Sequence, residues 1–357
     1  MADSIDKIGS WAIYRKPHEK EVHILSLGKV EKYTSLSMLK DKTGFVMAPF
    51  LPTDVYPICL YPIVDIQNSW ETAAQIANNI DISSFGNTST SGKESKEEYG
   101  LIFDACIEAL NTHTLQKVVL SGRRTLPYAI EVWESYKRAC DTFDAMYISL
   151  LCLEDCGVWI GASPELLLSI DGDQGRTVAL AGTQERYTQE SSTWDKKNIR
   201  EQALVSSYIE NVLSAYATDV QHSEPYTATA GKLQHRKTDF HFRLNAMNRI
   251  GELLESLHPT PAVCGLPKEK ALSFITSHEY YDRGYYTGFL GVLNRQGKTE
   301  LYVNLRCMQL FADKTQLYGG SGLLPTSDKE SEWIEINKKM DTLGSIIQPL
   351  KKANVHR

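Results

Sequence analysis

Nothing in the 357 residues forms an apolar run long enough to cross a bilayer. The best candidate, AMYISLLCLEDCGVWIGA at residues 145–162, is broken by Glu154 and Asp155, well short of the roughly 20 residues a spanning helix needs. The N-terminus, MADSIDKIGSWAIYRK, carries acids where a secretory leader needs bases and has no continuous apolar segment, so a cytoplasmic protein is expected. Cysteine is sparse and unpatterned. The seven (Cys59, Cys106, Cys140, Cys152, Cys156, Cys264, Cys307) are odd in number and mostly lie in hydrophobic runs. No His or Cys at zinc spacing accompanies the nearest pair, Cys152 and Cys156, which suits buried thiols in a reducing compartment. An excess of basic residues is also missing: the formal net charge of −6 disfavours a general nucleic-acid binder but leaves room for a local pocket that takes a small anion. There is no repeat at solenoid periods, no Ser-His-Asp order, no P-loop and no Rossmann glycine fingerprint.

What is present is an ordinary globular composition, 42% hydrophobic and 23% charged, in a chain long enough for one large domain or two. One linker-like segment, SSFGNTSTSGKES at 83–95, predicts a mobile surface loop. After it, Tyr99, Ile102, Cys106 and Leu110 fall at helical spacing in a helix ending near Asn111. LQKVVLSG reads as a short buried strand, and DAMYISLLCL, VWIGASPELLLSI and TVALAGT as further strands. A long amphipathic helix follows, capped by Thr193 or Asp195, whose stripe through Val205, Tyr208, Ile209 and Val212 extends back to Glu201 and puts a carboxylate on its inward side. TELYVNLRCMQLFA and KTQLYGGSG predict a strand pair leading into a glycine turn, and SEWIEINKKMDTLGSII the last helix. Strand clusters separated by helices, without a repeating βα alternation, indicate an α+β fold with mainly antiparallel sheets.

Several residues stand out against this background. Glu165 lies inside the apolar GASPELLLSI; it is either a solvent-facing edge residue or a carboxyl in apolar surroundings that keeps its proton near neutral pH, as a general acid must. Lys117 enters a buried-looking strand and either snorkels to water or serves as a base. Arg306, inside a β run, pairs with a structural carboxylate or awaits a substrate carboxylate. Glu332, Glu335 and Lys339 share one face of the last helix, just after GGSG at 319–322, whose backbone amides suit an anion. The alternative for that face is a solvated Glu–Lys pair. Glu201, Glu332 and Glu335 offer oxygen donors alone, which favours magnesium over zinc. His235 and His258 carry no claim by themselves.

Taken together, KVVLS, GASPELLL, LAGT, REQALV, LQHRKT, LHPTPAVCGLP, DRGYYTGFLG, LRCMQL, GGSGLLP and SEWIEINKK resemble, in order and spacing, the chorismate-utilising enzymes over about residues 100–345. The resemblance implies a single domain (1–357) of two layered, mainly antiparallel sheets flanked by helices, with the site in the cleft between them. Residues 1–95 would be the variable part and 96–350 the motif-bearing part. It further implies that Lys117 activates a water and Glu165 protonates the departing C4 hydroxyl of chorismate. Glu201 and Glu335, with Glu332 close by, look like Mg2+ ligands. Arg306, Gly320, Gly322 and Lys339 match the grip on the enolpyruvyl carboxylate, and Gly182, Thr183, His235, Thr238, Ala262 and Tyr286 match positions lining the substrate.

Within the family, anthranilate synthases typically carry glutamine at the position of Lys117, and aminodeoxychorismate synthases a nucleophilic lysine at that of Ala181. Lys117 with Ala181 therefore favours water as nucleophile and isochorismate as product, bound for menaquinone or a siderophore, made by a monomer with no glutaminase subunit and no nucleic-acid or membrane partner. Salicylate synthase, which goes on to eliminate pyruvate, and a non-catalytic chorismate-binding scaffold stand as alternatives. Gly122 after the serine of KVVLS and Gln202 after Glu201 depart from the family pattern.

Overall fold

Strands of this chain that are apolar on both faces build the layers. In Trp11–Arg15, Trp11 and Ile13 face one apolar cluster while Ala12 and Tyr14 face another; in Tyr147–Leu153, Ile148, Leu150 and Cys152 go with the first pair and Tyr147, Leu151 and Leu153 with the second. The period of two sends alternate side chains to opposite sides of a sheet, so a continuous apolar run signals a sheet covered on both faces. Cutting one such side chain back, as in Leu150→Ala, should cost ~2–5 kcal/mol.

The computed structural model describes residues 9–85, 95–186, 193–246 and 249–350. Their strands form two sheets within one domain, and every pairing among them is antiparallel. The nine-stranded first sheet runs Gly265–Leu266, Lys117–Leu126, Thr315–Leu323, Cys307–Leu310, Gly157–Ser163, Tyr147–Leu153, Trp11–Arg15, His23–Leu27, Ile63–Gln67. The ten-stranded second sheet runs Ala217–His222, Leu233–Leu244, Gln174–Glu185, Leu166–Asp171, Lys298–Val303, Phe289–Arg295, Gly44–Ala48, Ile58–Tyr61, Glu31–Tyr33, with Tyr226–Ala230 also paired to Leu233–Leu244. One apolar cluster lies between the sheets and continues under the helices Lys196–Tyr216 and Ile250–Leu257; the other packs the first sheet against the remaining helices, including Lys96–Asn111 and Lys329–Gly344. The α+β, two-layer expectation is borne out. No helix of the described residues is long and apolar enough to cross a membrane.

Local expectations fare unevenly. The helix Lys96–Asn111 ends where its periodicity predicts and opens with a capping box between Ser95 and Glu98. Of the loop expected at 83–95, residues 86–94 lie outside the described residues, and Ile82–Phe85 is a short 3-10 turn. Asp195, not Thr193, caps the long helix by accepting from the Asn198 N–H. All seven cysteines are free and buried.

Three strand expectations need correction. VWIGASPELLLSI is two strands, one in each sheet, because the chain crosses between the layers at Pro164–Glu165. TELYVNLRCMQLFA is likewise two strands that cross at Asn304–Arg306. GGSG is not a turn but the end of the strand Thr315–Leu323, where the missing side chains admit neighbouring groups.

Candidate active site

The two crossovers lie side by side and are bonded to each other. The Val303 N–H donates to Glu165 O at 3.0 Å and the Ala162 N–H to Arg306 O at 3.0 Å. Side chains leaving the chain there enter the space between the layers, which is why Glu165 and Arg306 are both buried although neither belongs to a strand. Arg306 adopts a left-handed backbone (φ 45°), unusual for a residue other than glycine and costly unless its surroundings enforce it.

Glu165 and Arg306 share the wall of a small cavity, about 50 Å³, with Ala181, Gly182, Thr183, Glu201, His235, Ala262, Tyr286, Gly320, Gly322 and Lys339. That volume admits a few water molecules but no ring bearing two carboxylates, so a ligand of that size enters only as side chains move. Burial pushes the Glu165 carboxyl up to about 7, against the opposing pull of Lys117 and Arg306. Burial lowers the Arg306 pKa, and its buried Nε has no hydrogen-bond partner. A guanidinium N–H left bare in a buried site costs free energy that an arriving carboxylate would recover.

His235 is held neutral by burial and by the positive charges of Arg306 and Lys339. It comes from the strand Leu233–Leu244, opposite Thr183. The ladder shifts register between Ala181 and Thr183, at Gly182, whose φ of 74° only glycine takes without strain. A side chain there would press on Asn198, whose Oδ1 instead accepts from the Thr183 N–H at 2.9 Å.

At and behind this wall stands a set of carboxylates, each with its own lysine. Lys117 Nζ is 3.2 Å from Glu201 Oε1 and donates to Pro261 O at 2.7 Å. Lys339 Nζ is 2.6 Å from Glu335 Oε1 and donates to Gly320 O at 2.7 Å. Lys197 Nζ is 2.6 Å from Glu332 Oε1 and 3.9 Å from Glu201 Oε2. Burial raises the Glu332 carboxyl, with Lys197 opposing, whereas at Glu335 the attraction of Lys339 and Lys197 outweighs burial and lowers it. Burial lowers the Lys339 ammonium. Counting Arg306, four cations face four carboxylates. Gly322 makes the crowding possible: a Cβ there would sit 2.0 Å from Glu201 Oε1 and 3.0 Å from Lys117 Cε.

The residues singled out in the sequence are thus gathered in one region, with two qualifications. Lys117, Glu332 and Glu335 are not on the cavity wall itself. Thr238, expected against substrate, is buried behind the wall, where its hydroxyl accepts from Gln202 Nε2 at 2.8 Å, because the strand's alternation turns it away from the face that carries His235. His258 is structural; its Nε2 donates to Pro49 O at 2.9 Å. Lys197 and Asn198 were missed, although both lie one helical turn before Glu201 and Gln202, where the (i, i+4) rule would have found them. Also missed was Arg283, buried and paired with Glu279 at 2.6 Å, which donates to Val119 O and Val263 O and so ties the Lys117 strand to the loop over Pro261.

Among the described residues no three His, Cys, Asp or Glu side chains stand as a ready metal-holding group, because the lysine ammoniums take up the carboxylates. The donor chemistry nevertheless fits a hard cation: the cluster is all oxygen, and Glu332 Oε2 is buried without a partner.

A sequence profile of the chorismate binding enzymes matches residues 63–348. The isochorismate synthase EntC of Escherichia coli is 32% identical over 203 residues, covering 54% of this chain and 52% of EntC. The chain spans about half the length of the curated relatives it matches. Among solved structures, MenF, the menaquinone-specific isochorismate synthase of E. coli, superposes with a TM-score of 0.77 at 22% identity, over 96% of this chain and 90% of that one. Anthranilate synthase component I of Streptococcus pneumoniae gives 0.67 at 17%, over 96% and 93%. At such identities the two structures speak for the fold alone, and the shared fold does not choose a product. The extent of the profile match does decide the family: the chain belongs to the chorismate binding enzymes.

Proposed function

We propose that the protein is an isochorismate synthase, a Mg2+-dependent isomerase that converts chorismate to isochorismate for menaquinone or siderophore biosynthesis. The observation that carries this reading is the pairing of Glu165, a buried carboxyl poised near neutral pH, with Arg306, a buried guanidinium with an unsatisfied N–H, on one cavity wall. A proton donor beside an anion holder is what loss of a hydroxyl from a dicarboxylate requires.

In this mechanism Arg306, oriented by His235, and Lys339 hold the enolpyruvyl carboxylate. Glu165 gives its proton to the C4 hydroxyl, which leaves as water while the double bonds shift and a second water adds at C2. Lys117 takes the proton lost by that second water, and Glu201, 3.2 Å away, holds its side chain in place for that role. One water enters and one departs, so the reaction is an isomerisation. Glu201, Glu335 and Glu332 are the side chains that would hold magnesium, which when bound supplies positive charge against the ring carboxylate. Lys117 together with the small, non-nucleophilic Ala181 supports water as the attacking group, which needs no glutaminase subunit; we place the chain in the cytoplasm as a monomer.

Incubation of the purified protein with chorismate and Mg2+, followed by NMR, tests the assignment. Isochorismate in equilibrium with chorismate and no pyruvate is expected. Salicylate with pyruvate would move the chain to the lyase-coupled branch, and absence of product would return it to a binding protein.

A further inference from the structure

Of the three lysines that neutralise the carboxylate cluster, two are also anchored to the main chain: Lys117 to Pro261 O and Lys339 to Gly320 O. Among the described residues no such anchor is seen for Lys197. Its side chain is also the most exposed of the three, at 19% against 0% for Lys117 and 10% for Lys339. Its ammonium sits between Glu332 on one helix and Glu201 on another, touching the first at 2.6 Å and standing 3.9 Å from the second. The remaining Glu332 oxygen is buried and unpartnered. An ammonium satisfies one oxygen well and the others poorly, whereas a divalent ion takes several carboxylate oxygens at once.

We propose that Lys197 is an internal stand-in for the divalent cation, filling the gap between Glu201 and Glu332 and leaving toward solvent when the metal enters. This rests on the reading of Glu201, Glu332 and Glu335 as the metal carboxylates. The physical logic is competition. Two positive groups cannot share these oxygens, so each part of the attraction between Lys197 and the cluster is subtracted from the affinity for the metal. The device keeps the buried carboxylates neutralised before metal arrives, which matters because an unpaired charge in that setting is strongly destabilising. It also makes the resting protein a weak binder of free Mg2+.

The test uses the full chain without chorismate and reads metal binding directly, by calorimetric titration with Mg2+ and by electron paramagnetic resonance with Mn2+. Lys197→Met keeps the length of the side chain and removes its charge; it should bind either ion at least about tenfold more tightly than the unsubstituted protein. Lys197→Arg keeps the charge and should bind as weakly as the unsubstituted protein, and circular dichroism and thermal melting verify that each variant is folded. If Lys197→Met is unfolded, Lys197→Gln carries the same expectation. Adding Glu332→Gln to the neutral variant should abolish the gain. An affinity that stays the same or falls in the neutral variants, while Glu332→Gln alone still weakens metal binding, overturns the role of Lys197 and leaves the carboxylates as ligands. Metal binding indifferent to Glu332→Gln in every background removes the carboxylate reading, and the stand-in with it.

Discussion

Arg306 Nη2 donates to His235 Nε2 at 2.9 Å, and His235 Nδ1 in turn lies 3.0 Å from Gly182 O. A carbonyl only accepts, so Nδ1 carries the imidazole proton and Nε2 is the acceptor that orients the guanidinium. The glycine bulge of the second sheet thereby fixes the direction of an arginine on a crossover between the sheets.

His235→Ala should therefore loosen Arg306 more than it touches chemistry. We expect KM for chorismate to rise about tenfold with a smaller change in kcat, and His235→Gln, which still offers an acceptor, to recover part of the loss. Steady-state kinetics on both variants checks the split; a fall in kcat alone would place His235 in the chemical step instead.

Glu165→Gln should lower kcat/KM by on the order of 10²–10⁴. In the unsubstituted enzyme the limb governed by Glu165 should fall as pH rises through about 7, since the acid must be protonated to act. A rate that does not decline across that range would remove Glu165 from the role of acid.

The same residue makes a separate prediction about stability. Its folded-state value, about 7, lies above the ordinary 4.5, so the native protein holds this proton more tightly than the unfolded chain, and stability is lost as pH rises from about 4.5 to about 7. Glu165→Gln removes that dependence. Denaturant titrations should find the variant more stable than the parent by up to about 3 kcal/mol above pH 7, with the gap closing below pH 4.5. A gap independent of pH would contradict the buried acid.

Gly322→Ala tests the crowding behind the wall. The added methyl falls 2.0 Å from Glu201 Oε1, so the carboxylate must move and take Lys117 with it. Activity should drop roughly a hundredfold, as displacements near 1 Å do, with weaker Mg2+ dependence and only ~1–3 kcal/mol lost in stability. Near-normal activity would show that Glu201 need not stay where it is.

Lys117→Met should depress kcat by on the order of 10²–10⁴ and leave chorismate binding nearly intact, because Lys117 lies behind the cavity wall. Binding measured by calorimetry alongside turnover separates the two; loss of binding would mean that Lys117 holds substrate.

The chemistry-bearing residues were more legible in the sequence than the architecture that unites them. Glu165 and Arg306 announced themselves as charges in apolar runs, and Glu201, Glu335 and Lys339 by helical spacing. The crossovers did not, because the apolar segments on either side of Pro164–Glu165 and of Asn304–Arg306 have the same composition whether the chain stays in one buried sheet or passes to another, so the breaks read as single charges within a strand. GGSG misled for a related reason: glycine marks turns by its freedom of φ, but here it serves by lacking a side chain. Lys197 escaped notice because a lysine one turn before a glutamate is an ordinary surface pattern, and only the arrival of Glu332 from a distant helix makes it a buried bridge.

The paired crossovers have a mechanical consequence. Because Glu165 and Arg306 ride on adjacent segments bonded to each other, any sliding of one sheet over the other carries both together and leaves their separation unchanged. In the proposed reaction they would act as a fixed pair, one at the leaving hydroxyl and one at the enolpyruvyl group. Lys117 and the carboxylates, borne by an outlying strand and two helices, can shift or be exchanged without disturbing it. In that reading, substitution at Lys117 would alter the nucleophile while the acid and the anion holder keep their spacing.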